Sequence, residues 1–392
     1  MNVVERLDER LSLTETEQMV LESVRAVARD VIAPNAQRFD ESGEFPWANV
    51  AALNELGLNG LFIPEDFGGS ELSYTAYLAC VREISSACAS TGIIWATNFH
   101  AMKPLVEFGT VEQKQRLLPR IAAGGLASLA ITEEHAGSDA TGMRTRFTPD
   151  GDDIIVTGSK TFITNGDVAD LYLLFGKWSE IDSPKDAISV LIFEKGTPGF
   201  SVLGTEHKMG LRASSTAAIA FDECRVPRAN LIGKPGDGLG ILFASLNKSR
   251  PSVAAHALGI ARAAFERTVT YINERRQSGR RIIDNQGIQF MLADMATDLV
   301  LAESWLWQVA NLVESGAKDF GIESSMLKMR ATDVTMRITD DAVQLHGGYG
   351  YTRDYVVERL MRDAKITQIW EGTNQIHRQL IGRSLANREG RK

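Results

Sequence analysis

ASLAITE at 127–133, DIIVTG at 153–158, KTFITNG at 160–166, LYLLFG at 171–176, ISVLIFE at 188–194 and TAAIAFD at 216–222 are short runs rich in β-branched and aromatic residues. Turn-forming residues separate them, which is how strands read. Asp150-Gly151 and Asn165-Gly166 are the strongest turn dipeptides, since each offers the positive-φ conformations that a hairpin needs. A β domain closing near Pro227 is the expectation.

On the N-terminal side the apolar period becomes helical. Thr14-x-x-Glu17 reads as a capping box, and Met19, Val20, Val24, Val27 and Val31 follow at helical spacing up to Pro34, where the helix is expected to stop. The stretches 49–56, 74–89 and 111–123 repeat the pattern; the last is entered through Thr110-x-x-Gln113 and left through Gly124-Gly125. Beyond the glycine-rich GKPGDGLG at 233–240, helical periodicity over 253–272, 288–313 and 326–343 predicts helices long enough to form a bundle. The fold class is α+β: helices over 1–125, a β domain over 126–235 and a helical bundle over 236–392.

A chain of 392 residues exceeds what one core organises, so several packed units are expected. Its net charge of -8 supplies no basic field for a nucleic-acid backbone or an anionic membrane. The three cysteines, Cys80, Cys88 and Cys224, form no Cys-x-x-Cys pair and have no histidine at metal-ligand spacing. No metal site and a reduced, cytoplasmic setting are the expectations. The opening MNVVERLDERLSLTETEQ is charged and lacks a long apolar run, so neither a secretory signal nor a membrane span is expected.

Four stretches carry chemistry. ITEEHAGSDATG at 131–142 follows a strand with hydroxyls and free backbone N–H groups, a set that suits an anion and equally suits a plain polar connection. KTFITNG at 160–166 places Phe162 and Thr164 on one face and Ile163 on the other, so a ring and a hydroxyl could meet a planar ligand; an ordinary half-buried strand has the same pattern. QLHGGYGYTRDY at 344–355 is glycine-rich, but a helix precedes it, which rules out a Rossmann loop. GKPGDGLG lacks the Lys-Ser/Thr ending of a P-loop. In DAKITQIWEGTNQIHR at 363–378, Glu371 follows apolar Ile369 and Trp370, and a desolvated carboxylate is the stronger base that carbon-acid chemistry needs. A helix-end glutamate is the bland alternative.

In this order the four stretches resemble the motifs of the acyl-CoA dehydrogenase family, from the N-terminal helices to about Arg383. The resemblance implies an N-terminal helical domain, a β-barrel-like middle domain, a C-terminal four-helix bundle and FAD in a homotetramer built as a dimer of dimers. Residue by residue, it implies that Ile131, Thr132 and Ser138 surround the flavin, with Ser138 also meeting substrate, and that Phe162, Ile163 and Thr164 form the flavin-side strand. Phe162 stands where many members carry tryptophan. Arg275 and Gln286 correspond to contacts with a neighbouring subunit's FAD, as do Gln344, Gly347 and Gly348; Thr373 and Gln375 point toward the cofactor. Asn247, Arg250 and Gly372 correspond to substrate contacts.

The resemblance makes Glu371 the base that removes the α proton of an acyl-CoA, while the β hydrogen leaves as hydride to the flavin and a trans-2-enoyl thioester forms. Electrons then pass to an acceptor such as electron-transfer flavoprotein. Branches that place the base just before the arginine matching Arg250 do not fit, because Ser249 stands there. No arginine for a distal carboxylate occurs in CASTGI at 88–93, which implies an uncharged short or medium acyl chain, straight or branched. Departures are Glu134-His135 for a proline-glycine-like pair, Ser278 for a phenylalanine near adenine, and Asn247 for an aspartate. An oxidase on the same scaffold and a non-catalytic flavoprotein are the alternatives; Glu371 argues against the second.

Overall fold

A computed structural model describes residue 6 and residues 11–386; most of the charged opening stretch and residues 387–392 lie outside the described residues. Helix α1 (Glu15–Val27) starts on its capping box, with Glu17 N donating to Thr14 Oγ1 and Thr14 N donating to Glu17 Oε2 at 2.8 Å. The chain does not stop at Pro34, contrary to the sequence expectation. A π turn over Ala28–Ile32 leads into α2 (Ala33–Ser42), and Pro34 falls in the first turn of α2, where a missing N–H costs no regular helical bond.

Helices α3 (Trp47–Glu55), α4 (Tyr74–Ala87), α5 (Ala89–Phe108) and α6 (Val111–Ala122) complete this part. Cys88 is extended, with φ of -155°, and separates α4 from α5. The sequence gives no periodic signal for α5 because nearly all its residues from Ala89 to Leu105 are buried, and a helix buried all round shows no polar stripe.

The middle region consists of β1 (Ala127–Ala130), β2 (Arg146–Asp150), β3 (Asp153–Thr164), β4 (Leu171–Trp178), β5 (Ile188–Glu194), β6 (Phe200–Thr205), β7 (Thr216–Pro227) and β8 (Leu231–Ile232). They form one sheet in the order β6-β7-β3-β2-β4-β5-β8, with β1 parallel to β4. Although β5 and β7 are not neighbours in that order, the Phe193 and Phe221 rings meet with centroids 4.9 Å apart. The sheet therefore curls around its own aromatic core, which is the barrel-like form. Asp150-Gly151 makes the β2–β3 hairpin, with Gly151 at φ 62°. Asn165-Gly166 turns the chain without making a hairpin, because β3 pairs with β2 and β7 and not with β4. The buried Asn165 amide donates to Ile94 O and Ala127 O instead, tying the turn to α5 and β1.

After the sheet come α7 (Gly238–Glu274), a short hairpin of β9 (Arg276–Gln277) and β10 (Arg280–Arg281), α8 (Gln286–Glu314), α9 (Gly321–His346), α10 (Val357–Lys365) and α11 (Asn374–Ala386). Helix α7 is the spine, packing on α9 and α8 as well as on α4 and α5. Arg262 of α7 and Arg82 of α4 share the buried carboxylate of Glu303 on α8. At the α4–α7 crossing a Cβ on Gly259 would stand 2.3 Å from Arg82 O. Gly259→Ala must push two long helices apart and is expected to destabilise the protein by about 1–3 kcal/mol, read from denaturant midpoints. No helix among the described residues is long and apolar enough to cross a membrane.

Candidate active site

Between α10 and α11 the chain makes a 3-10 turn over Ile366–Gln368 and then places two successive residues in left-handed conformations, Glu371 at φ 51° and Gly372 at φ 89°. Glycine adopts this freely; a glutamate does so at a cost of about 1–2 kcal/mol and needs surroundings that hold it there. On one side Lys328 Nζ of α9 donates to Gly372 O at 2.7 Å and to Asn374 Oδ1 at 3.1 Å. On the other, Ser249 Oγ of α7 donates to Glu371 Oε2 at 2.7 Å.

The Glu371 side chain is 14% exposed, and His100 Nδ1 of α5 lies 4.0 Å from Oε1. Its screening from water does not come from the sequence neighbours singled out earlier. Ile369 is 49% exposed, and the Trp370 ring lies against His256, tilted by 60° with centroids 5.5 Å apart. The groups that face the carboxylate come from α5, α7 and, through the Lys328 ammonium, α9.

Arg250 is buried one residue beyond Ser249, with Nη1 donating to Asn247 Oδ1 at 3.2 Å and to Ser325 Oγ at 3.3 Å. Burial lowers its pKa and the Glu371 charge opposes that shift. The Asn247 acceptor is thus turned inward onto Arg250, with α9 close behind at Gly321. His100 Nε2 and Tyr77 OH both bond Ser252 Oγ, at 2.9 and 2.8 Å. Burial lowers the His100 pKa, with Glu371 opposing, so the ring carries no charge at neutral pH. A cavity of roughly 100 Å³ lies beside this chain of groups, walled by Phe62, Leu72, Tyr74, Tyr77, Phe99 and Lys103. Sequence reading did not find His100, Ser252 or Lys328: each is a single polar residue on a helix whose partners come from elsewhere.

The 131–142 loop hangs on a buried ion pair that the motif reading also passed over. Glu133 accepts from Lys160 Nζ at 2.8 Å, from Thr145 N at 2.9 Å, from Thr145 Oγ1 at 2.6 Å and from Arg144 N at 2.6 Å. Lys160 also donates to Ile131 O at 2.9 Å, and Thr161 N donates to Thr132 O at 2.9 Å. Ile131 and Thr132 are consequently fixed and half-buried, while Ser138 is exposed. Burial by itself would raise the Glu133 pKa, but the Lys160 charge and the hydrogen bonds from Lys160 and Thr145 overcome it and hold the carboxyl at about 2.

Because that value lies below the ordinary 4.5, the stabilisation is complete above pH 4.5 and disappears as pH falls toward 2. Unfolding measured at pH 6 and pH 3 is expected to show a steep loss in the wild type and a flatter one in Glu133→Gln.

On β3, Phe162 and Thr164 leave the sheet core and Ile163 enters it. Phe162 does so through a left-handed φ of 57° at a slip in the β3–β7 register rather than by regular alternation, and its ring is 63% exposed. The Ile163 side chain is committed to the core, which leaves only its backbone for a ligand. Past Glu371, Thr373 and Gln375 line a cavity of about 470 Å³ together with Lys365, Gln368, Asn374 and Arg378.

Arg275, Gln344, Gly347 and Gly348 gather elsewhere. The Arg275 guanidinium lies 5.3 Å from the Tyr349 ring centroid, and Gln286 opens α8 after the short hairpin. Gln344 is roughly 24 Å along α9 from Lys328, so this group does not meet the Glu371 loop within one chain. Among the described residues, no group of three His, Cys, Asp or Glu could hold a metal.

An exposed aromatic ring, hydroxyls at Thr132, Thr164 and Thr373, the Gln375 amide and the Lys365 cation suit a large planar cofactor with a charged tail, while Arg378 is held by Asp333 at 2.7 Å in the same cavity. Helices, a curled sheet and helices again, with an acidic loop lodged between α7 and α9, define the class: a flavoprotein oxidoreductase. The chain belongs to the acyl-CoA dehydrogenase family, whose N-terminal, middle and C-terminal domain models match residues 14–125, 128–224 and 236–386.

It is 43% identical over 377 residues to an acyl-CoA dehydrogenase of Bacillus subtilis strain 168, covering 96% of this chain and 99% of that one. Butyryl-CoA dehydrogenase from Megasphaera elsdenii superposes with a TM-score of 0.93 at 36% identity, covering 96% of this chain and 99% of the other. A chain in the structure of the electron transferring flavoprotein of Acidaminococcus fermentans does so with a TM-score of 0.93 at 41% identity and the same coverage.

Proposed function

We propose that the protein is an FAD-dependent dehydrogenase of short, uncharged acyl-CoA thioesters that produces the trans-2-enoyl thioester, with Glu371 as the base. The supporting observation is the placement of the Glu371 carboxylate, turned between α5 and α7 by two left-handed residues and held by the Ser249 hydroxyl. FAD, when bound, accepts the β hydrogen with its electron pair. Ile131, Thr132, Ser138, Phe162, Thr164, Thr373 and Gln375, with the Ile163 backbone, are the residues assigned to hold it.

The chain's own part is positioning and proton transfer. The Glu371 backbone N–H polarises the thioester oxygen, where negative charge develops as the α proton leaves. Glu371 takes that proton, and the Ser249 hydrogen bond keeps the carboxylate oriented until substrate arrives. The absence of arginine over 88–93 supports an uncharged acyl chain. Butyryl-CoA dehydrogenase as a close structural relative favours a short chain.

We assign Arg275, Gln286, Gln344, Gly347 and Gly348 to a neighbouring subunit's cofactor in a homotetramer, which accounts for their distance from the base. Electron transferring flavoprotein is the proposed acceptor. The free, buried Cys80, Cys88 and Cys224 suit the cytoplasm. The test is the visible spectrum of the purified protein during anaerobic addition of acyl-CoA thioesters of graded length. Flavin bands that bleach with butyryl-CoA and its near homologues are expected; a colourless protein, or bands unmoved by every thioester, overturns the reading. Stoichiometric peroxide during turnover in air would move the assignment to an oxidase.

A further inference from the structure

Lys328 is fully buried on α9, and among the described residues no carboxylate lies within ion-pair distance of its ammonium. Its partners are a backbone carbonyl and an amide oxygen, both on the segment that follows the base. Buried lysines without a carboxylate partner are rare, since the charge loses its hydration for little return. A methionine of similar length would serve packing alone at least as well.

The amide that receives Lys328 is itself aimed. Asn374 Nδ2 donates to Thr332 Oγ1 at 2.9 Å and to Asp333 Oδ1 at 2.8 Å, which turns Oδ1 toward Lys328. The charges that face the ammonium are those of Glu371 and Asp333, which favour it, and of Arg250, which opposes it. Burial outweighs the attraction and brings its pKa down to about 7.

We propose that Lys328 is the positioning residue of the base: by gripping the Gly372 carbonyl and the first residue of α11, it holds Glu371 and Gly372 in their left-handed conformations. Ser249 fixes the carboxylate end of Glu371, and Lys328 fixes the backbone that carries it. This rests on Glu371 being the base. Without the clamp the loop relaxes toward ordinary backbone angles, and both the carboxylate and the Glu371 N–H move off the reacting atoms.

The experiment compares wild type, Lys328→Met and Lys328→Gln by the first-order rate of anaerobic flavin bleaching with butyryl-CoA and its α-deuterated form. That rate constant belongs to flavin-loaded molecules and does not depend on how many there are. Lys328→Met is expected to bleach ~10- to 100-fold more slowly, the cost of a misplaced reacting group, with little change in the thioester concentration giving half the limiting rate. Its α-deuterium isotope effect is expected to grow. Hydrogen exchange of the 366–376 amides should accelerate while the rest of α9 keeps its protection, and Lys328→Gln, which can still donate to Gly372 O, should recover part of both. Bleaching of Lys328→Met at the wild-type rate overturns the proposal, as does loss of the folded, flavin-loaded form in both variants, because Lys328 would then serve the fold. A wild type that no thioester bleaches counts against the functional reading itself.

Discussion

Glu371→Gln is expected to keep its flavin and to turn over at least ~10²-fold more slowly than wild type, the usual contribution of a general base. The substitution preserves size, and an amide oxygen can still accept from Ser249 Oγ. The clamp from Lys328 lands on the backbone and is unaffected by the change. What disappears is the ability to take a proton from carbon. The measurement is turnover of a short acyl-CoA with a dye acceptor, beside the flavin-to-protein ratio from the visible spectrum. Near-normal turnover would show that another group is the base.

The second large effect is expected away from the base. Lys160→Met leaves Glu133 buried without its cation, and breaking a buried pair from one side costs about 3–5 kcal/mol. The same change frees Ile131 O and so loosens the start of the 131–142 loop. Lower stability in denaturant should therefore come with weaker flavin retention. Adding Glu133→Gln to Lys160→Met removes the stranded charge and should recover part of the stability, although the loop loses its clamp in both proteins. A Lys160→Met protein as stable as wild type would mean that water solvates Glu133 and that the pair does not hold the loop.

Local chemistry was legible in the sequence wherever the deciding partners lie within a few residues. The capping boxes at Thr14 and Thr110 form as read, since cap and N3 residue are three positions apart. The strand runs form the sheet. Helix α5 was not legible, because a helix surrounded by protein needs no polar face. Pro34 misled because a π turn shifts it to a position where proline costs little, and Asn165-Gly166 misled because its amide is used by α5 and β1.

At the site, Glu371 was singled out by the four stretches taken together as a resemblance, and its surroundings could not be read from them. Ser249 and Lys328 stand 122 and 43 positions upstream of it, His100 farther still, and only the packing of α5, α7 and α9 brings them to one place. The Glu133–Lys160 pair shows the same limit. One member lies in a recognised loop and the other in a recognised strand, yet neither motif shows that they touch.

Removal of the α proton by Glu371 can be observed apart from any redox step. An acyl-CoA analogue with sulfur in place of the β carbon has no β hydride to give, so in deuterated water the enzyme can only exchange its α hydrogens for solvent deuterium. Followed by mass spectrometry, that exchange is expected to be rapid with wild type and at least ~10²-fold slower with Glu371→Gln. Equal exchange by the two proteins would contradict the assignment.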